Sequence, residues 1–246
     1  MNAERSRVLV TGGASGIGKA VVDAFARDSG RVAVCDINVE AARTVAAAAG
    51  GIAIEMDVTD TGSVRAGVAQ AVEGFGGVEI LVNCAGWDRV MPFVETDEEL
   101  WDRVISVNYR GVVAVTHAVL PHMIDAGAGA IVSIASEAGR SGSSGEAVYS
   151  GTKAAIIAFT RSIAREVARY GIRANVVLPG LTDTPLLQSM IADGSEKLID
   201  AIVKATPLRR LARPEEVAEA VVFLASERAS FTTGETLSVG GGLVMA

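Results

Sequence analysis

Seven short apolar runs, at 7–11, 31–36, 52–57, 79–83, 130–136, 173–178 and 236–239, punctuate this 246-residue chain and constrain its fold more than any other feature. Within them apolar residues stand at successive positions rather than at alternate ones, so each strand expects cover on both faces. Between them apolar residues recur at helical spacing, over 18–29, 39–49, 61–75, 98–126, 147–170 and 214–226. Strands that alternate with helices pair in parallel, and right-handed crossovers then leave few topologies. The expected fold is α/β, a single-domain Rossmann-type doubly wound parallel sheet of about seven strands with helices on both faces. One domain over 1–246 is expected, because a chain of this length fills one large core and not two. The rhythm breaks at 181–207, where periodicity is weak, and a long irregular insertion there reads as a substrate lid.

Composition narrows the function. Lysine and arginine number 22 against 29 acidic residues, for a net charge of −7, and aromatics make up 4%. That balance gives no electrostatic footprint for nucleic acid and no stacking platform for bases. No stretch of eighteen apolar residues and no leader-like segment are seen, so the chain is expected to be cytoplasmic, away from the membrane. Cys35 and Cys84 fall in separate strand-like runs, which offers neither a disulfide framework nor a metal quartet. His117 and His122 stand five apart on one helical stretch and face different ways, so no metal is expected. Chemistry on a small-molecule substrate is the class left standing.

Thr11-Gly12-Gly13-Ala14-Ser15-Gly16-Ile17-Gly18 follows the first strand and opens the first helix. Glycines there turn the chain tightly, let backbone N–H groups approach a ligand, and set an anion at a helix N-terminus. Gly12, Ser15, Gly16, Ile17 and Gly18 are therefore candidates to hold a dinucleotide, although a glycine-rich turn without a ligand has the same appearance. Asp36 ends the second strand, where a carboxylate would accept hydrogen bonds from both adenosine ribose hydroxyls. No cation neighbours it, since Ser15 and Ile37 occupy the adjacent positions, so NAD is expected over NADP. The competing role for Asp36 is to cap the helix that follows. Asp57 and Val58 would hold the adenine, and the small residues of Asn83-Cys84-Ala85-Gly86 would let the backbone come close to the cofactor. A plain strand-ending turn explains that last segment almost as well.

The chemistry rests on three residues. Tyr149 and Lys153 stand one helical turn apart and project from one face. Ser136 ends the fifth apolar run, at the carboxyl edge where open α/β sheets bind ligands. Bringing a phenol from about 10 to about 7 needs roughly 4 kcal/mol of differential stabilisation, which the Lys153 ammonium and an oxidised nicotinamide are expected to supply. Tyr149 would then take the proton of a secondary alcohol held by Ser136 while the cofactor takes the hydride.

Taken together, these motifs resemble the short-chain dehydrogenase/reductase family over essentially the whole chain. The resemblance implies a water held by Asn108 that connects Lys153 to solvent. It also implies cofactor contacts from Tyr149, Lys153, Pro179, Gly180 and Thr182 near the nicotinamide and Thr184 near the pyrophosphate, with assembly as a homotetramer. Within the family, the segments 83–88, 142–149, 182–184 and 237–239 are similar to 2-hydroxycyclohexanecarboxyl-CoA dehydrogenases, which implies an acyl thioester substrate. The 3-oxoacyl carrier-protein reductases share the general pattern and run with NADPH, against which Asp36 argues. Cys84 departs from the family's usual asparagine and reads as a small buried thiol. Trp87 reads equally as a wall of an acyl pocket or as a core aromatic.

Overall fold

The computed structural model describes residues 6–245. Strands β1 (Arg7–Thr11), β2 (Arg31–Asp36), β3 (Ile52–Glu55), β4 (Ile80–Asn83), β5 (Gly129–Ile134), β6 (Ile172–Pro179) and β7 (Thr236–Val239) form one parallel sheet in the order β3-β2-β1-β4-β5-β6-β7. Helices α1 (Gly16–Arg27), α2 (Val39–Ala49), α3 (Thr61–Phe75), α4 (Glu98–Ile105), α5 (Gly111–Ala126), α6 (Ala138–Ser141), α7 (Ala147–Val167), α8 (Pro185–Met190), α9 (Glu196–Ala205) and α10 (Pro214–Ala225) fill the crossovers. The single α/β domain of Rossmann type read from the sequence is the fold observed.

Successive side chains on a strand point to opposite faces, and the core divides accordingly. Val8, Val10, Val32, Val34, Ile80 and Val82 turn toward α1, α2 and α10, where Val21, Phe25, Val45 and Val221 meet them. Leu9, Ala33, Cys35 and Leu81 turn the other way, against Val64, Val68 and Phe75 of α3 and Val115 and Val119 of α5. Each fully buried aliphatic side chain contributes about 1.5–3 kcal/mol, so the two cores fix the central strands in register. Val10 pairs with Val34 on one side and Val82 on the other. The order of strands reverses between β1 and β4, which opens a crevice at their carboxyl edges.

Three readings need correction. The helix expected over 98–126 is interrupted by a π turn at Ser106–Arg110, between α4 and α5. Ser136 does not end a strand, because β5 stops at Ile134. The segment 181–207 is not irregular: it carries α8, a π turn at Ile191–Ser195 and α9.

Candidate active site

The crevice at the switch point is a cleft of about 1040 Å³, at the upper end of the size of small-molecule sites. Its floor is the turn from β1 into α1. Gly12 sits at φ +63°, and a Cβ on it would lie 2.8 Å from the Ala85 Cα. Gly18 is packed so tightly that a Cβ would overlap the Gly12 carbonyl, and Gly16 at φ +51° faces the Thr184 side chain. The cradle is thus built by backbone, and the Ser15 side chain makes no cap to α1. The first N–H groups of α1 therefore point at the cleft without a side-chain partner, the arrangement that receives an anion.

Asp36 serves the protein as well as the cleft it lines. The Ala14 N–H donates to its Oδ2 at 3.0 Å and the Asn38 N–H to its Oδ1 at 3.0 Å. Its carboxylate thus fixes the glycine turn and the start of α2 while each oxygen keeps a free lone pair. Ser15 and Ile37 line the cleft beside it, and Ile37 is exposed. Asp57 accepts from the Thr59 N–H at 2.8 Å and hydroxyl at 2.7 Å through Oδ1, which leaves Oδ2 for a ligand; Val58 lines the cleft next to it.

Of the segment that ends β4, Ala85 and Gly86 line the cleft, held there by the Thr11 hydroxyl oxygen, which accepts from the Cys84 and Ala85 N–H groups at 3.1 and 3.2 Å. Asn83 behaves differently from expectation. It is buried, and its Nδ2 donates to Thr116 Oγ1 at 3.1 Å and Ser133 Oγ at 3.2 Å, tying β4 to α5 and β5. Its side chain belongs to the sheet and not to the cleft. Burial pushes the Cys84 thiol up to about 12, which keeps it protonated.

Tyr149 and Lys153 share one face of α7, with the Lys153 Nζ 5.3 Å from the centre of the Tyr149 ring. The buried Nζ donates to the Ile134 carbonyl at 3.1 Å and keeps two donors for other partners. Ser136, two residues beyond β5, lines the cleft with Tyr149, and its hydroxyl oxygen accepts from the Ala138 N–H at 3.2 Å. A Cβ on Gly86 would stand 3.1 Å from Asn108 Oδ1 and 3.6 Å from Lys153 Nζ, so Gly86 lets the β4 turn lie against both. Asn108, fully buried in the π turn, donates from Nδ2 to the carbonyls of Trp87 at 2.6 Å and Val104 at 2.9 Å, and accepts from the Trp87 N–H at 3.2 Å. Its amide is thereby committed to holding the β4 turn, and both donors are used.

The electrostatics differ from the sequence expectation. Burial lowers the Lys153 ammonium to about 8, against an opposite pull from Cys84 and Asp88. Burial first, and then the nearby carboxylates of Asp88 and Glu146, push the Tyr149 phenol above its ordinary range, while the Ser136 hydroxyl pulls it back. A buried lysine short of solvation does not by itself acidify the phenol, so the remaining positive charge must come with the ligand.

Pro179 and Gly180 close the cleft on the β6 side, where a Cβ on Gly180 would meet the Gly240 Cα at 2.9 Å. Thr182 and Thr184 follow in the lining, and Thr184 caps α8 by accepting from the Leu187 N–H at 3.3 Å. Sequence reasoning did not single out the apolar wall made by Leu186, Leu187, Met190, Ile202, Leu243 and Val244. Nor did it find Arg103, whose guanidinium stacks 3.8 Å over the Trp87 ring at the same cleft. The first group was hidden because it gathers residues from α8, α9 and the C-terminal turn that meet only in the fold, and nothing local marks the second. Among the described residues, no cluster of three metal-ligating side chains is present and no helix is long and apolar enough to cross a membrane.

A crevice at the switch point, a backbone anion cradle and a Ser-Tyr-Lys group facing it define a class of oxidoreductase. Residues 12–244 match the family described as enoyl-(acyl carrier protein) reductase, and the chain belongs to the short-chain dehydrogenases/reductases, which use a nicotinamide cofactor. It is 38% identical to a 3-oxoacyl-[acyl-carrier-protein] reductase of Thermotoga maritima, covering 100% of both chains. It is also 38% identical to a (3R)-3-hydroxyacyl-CoA dehydrogenase of Canis lupus familiaris, over 96% of this chain and 95% of that one. A solved structure from Brucella melitensis named ribose-5-phosphate isomerase matches with a TM-score of 0.95 at 38% identity, covering 100% of this chain and 96% of that one. A 3-ketoacyl-(acyl-carrier-protein) reductase from Brucella melitensis, complexed with NADH, matches with a TM-score of 0.92 at 31% identity, covering 99% of this chain and 100% of that one.

Proposed function

We propose that the protein is an NAD-dependent dehydrogenase that interconverts a β-hydroxyacyl-CoA, of the 2-hydroxycyclohexanecarboxyl-CoA kind, and its β-keto thioester. The observation that carries this reading is the placement of Ser136, Tyr149 and Lys153 in one cleft with a glycine cradle and an acid beside it. The residues present fit a dinucleotide: a Cβ at Gly12 or Gly18 would fill the cradle, and the open start of α1 suits a pyrophosphate. Asp36 favours NAD, because the 2′-phosphate of NADP would face a carboxylate without a neighbouring cation. Asp57 and Val58 suit the adenine, and Pro179, Gly180, Thr182 and Thr184 the nicotinamide end and pyrophosphate.

A bound nicotinamide supplies the hydride acceptor and, when oxidised, a positive charge. Ser136 holds the substrate oxygen, and its place beside Tyr149 in the cleft brings that oxygen within reach of the phenol. Tyr149 takes the hydroxyl proton in oxidation and returns it in reduction. Lys153, with two donors free, binds a ribose hydroxyl and steadies the phenolate. Asn108 keeps the β4 turn against Lys153, and a water beside it would link that amine to solvent.

The segment 181–207 serves as the substrate lid. Its apolar residues suit an acyl group, and Arg103 on Trp87 suits the anionic tail of a coenzyme A thioester. Exposed Phe231, Val94 and Met245 are compatible with a homotetramer in the cytoplasm. The second reading, a 3-oxoacyl carrier-protein reductase, is favoured by the Thermotoga maritima relative and disfavoured by Asp36. Reduction of NAD and of NADP measured over a panel of hydroxyacyl-CoAs and simple alicyclic alcohols tests the proposal. Faster turnover of a β-hydroxyacyl-CoA with NAD supports it, whereas a preference for NADP or for a free alcohol overturns it.

A further inference from the structure

Asp88 follows the β4 turn, and Glu146 immediately precedes α7, three residues before Tyr149. Two loops far apart in sequence bring them together. The Met91 N–H donates to the Gly145 carbonyl at 2.9 Å, clipping the loop after β4 to the loop before α7. Gly145 makes that approach feasible: it sits at φ +80°, and a Cβ there would lie 2.9 Å from the Val90 Cγ1. Asp88 and Glu146 border the same small internal space, together with Tyr149, so two carboxyl groups meet beside the phenol and away from bulk water.

The surroundings of Asp88 point the same way. Its side chain is 6% exposed, and its Oδ2 is buried with no hydrogen-bond partner. The space beside it is about 10 Å³, room for one water at most, and Met91, Phe93, Leu100 and Val104 wall it along with Arg89, Thr96, Glu146 and Tyr149. The remaining groups that bear on it are the Arg89 backbone N–H, Lys153 and Tyr149. Burial, reinforced by Glu146, raises Asp88 to about 8. Glu146 also lines the main cleft, which gives the pair an opening toward solvent.

We propose that Asp88 and Glu146 form a carboxylic acid–carboxylate pair that holds one proton at neutral pH and sets the pH at which Tyr149 ionises. The pair acts through Tyr149 and touches no reacting atom, so its residues are positioning residues in the electrostatic sense. With one proton shared, it carries one negative charge, and loss of that proton doubles the charge opposing the phenolate. Turnover by way of Tyr149 is thereby limited at both ends of a narrow pH window. The inference rests on Tyr149 as the proton-transfer group and not on the identity of the substrate.

Two measurements test it. In substrate-free protein, pH-difference infrared spectra should show a protonated-carboxyl band at neutral pH that bleaches as pH rises through about 8 and is absent from Asp88→Asn. No such band at neutral pH, or one unaffected by Asp88→Asn, overturns the shared proton. In turnover of any accepted alcohol, Asp88→Asn keeps the Glu146 charge and should leave the Tyr149 midpoint of kcat/KM near its original place, because burial already holds Asp88 neutral. The double variant with Glu146→Gln carries none and should lower that midpoint by about one pH unit, the effect of one charge at a few ångströms in a protein medium. An unmoved midpoint in the double variant overturns the electrostatic coupling, since a purely structural role would change the rate without displacing the profile. If Tyr149→Phe retains turnover, the proposed function fails while the infrared result still decides the pair.

Discussion

Lys153 illustrates how a side chain is kept at a cost to stability. Its folded value of about 8 lies below the ordinary 10.5, so between those limits the unfolded chain binds more protons than the folded one. Stability from this group therefore rises with pH through that window, and below about 8 the buried ammonium is a full penalty. Lys153→Met is expected to raise the denaturation midpoint of the cofactor-free protein at neutral pH, with a gain that shrinks toward pH 10.5. Denaturant titrations across pH check this. The Asp36 carboxylate should give about 10- to 100-fold tighter binding of NADH than NADPH, and Asp36→Ala with Ile37→Arg should bring the two affinities together in fluorescence titrations. Ser136, Tyr149 and Lys153 were legible because their residue types and order carry a mechanism. Asp88 and Glu146 were not, since their meeting depends on two loops joined by a backbone hydrogen bond. The upward push on Tyr149 in the cofactor-free protein was not legible, because burial and those two acids could not be counted from sequence.

At the scale of elements, the strands declared themselves through runs of apolar residues, while breaks within helices did not. An extra residue in the π turn at Ser106–Arg110 barely disturbs apolar spacing, so the pattern read as one helix over 98–126. That turn is nonetheless what buries Asn108 against the β4 turn. Helices α8 and α9 span 6 and 10 residues and are separated by Gly194 at φ +99°. Within α9 the helical spacing is present at Leu198, Ile199, Ile202 and Val203, but the break at Gly194 cuts the pattern short of an ordinary helix length. The β1-to-α1 turn gives the sharpest prediction for an element. Gly12→Ala would force a methyl group against the Ala85 backbone from a left-handed conformation. It should weaken NADH binding by at least about tenfold and lower stability by about 1–3 kcal/mol, read from cofactor titration and chemical denaturation.

The whole molecule was the most legible level, because strands apolar on both faces and separated by helices have one economical arrangement. The cleft was legible as a place but not as a shape, for its apolar wall draws on α8, α9 and the C-terminal residues Leu243 and Val244. Arg103→Ala should raise KM for a coenzyme A thioester about fivefold or more while leaving a truncated thioester unaffected, the loss of a charge-assisted contact in steady-state kinetics. Proton transfer by Tyr149 beside a bound nicotinamide stands or falls with Tyr149→Phe in parallel assays of alcohol oxidation and NADH binding. The expected result is a fall in kcat of about 10²–10⁴-fold with the NADH Kd unchanged. Turnover near the unmodified rate would contradict it.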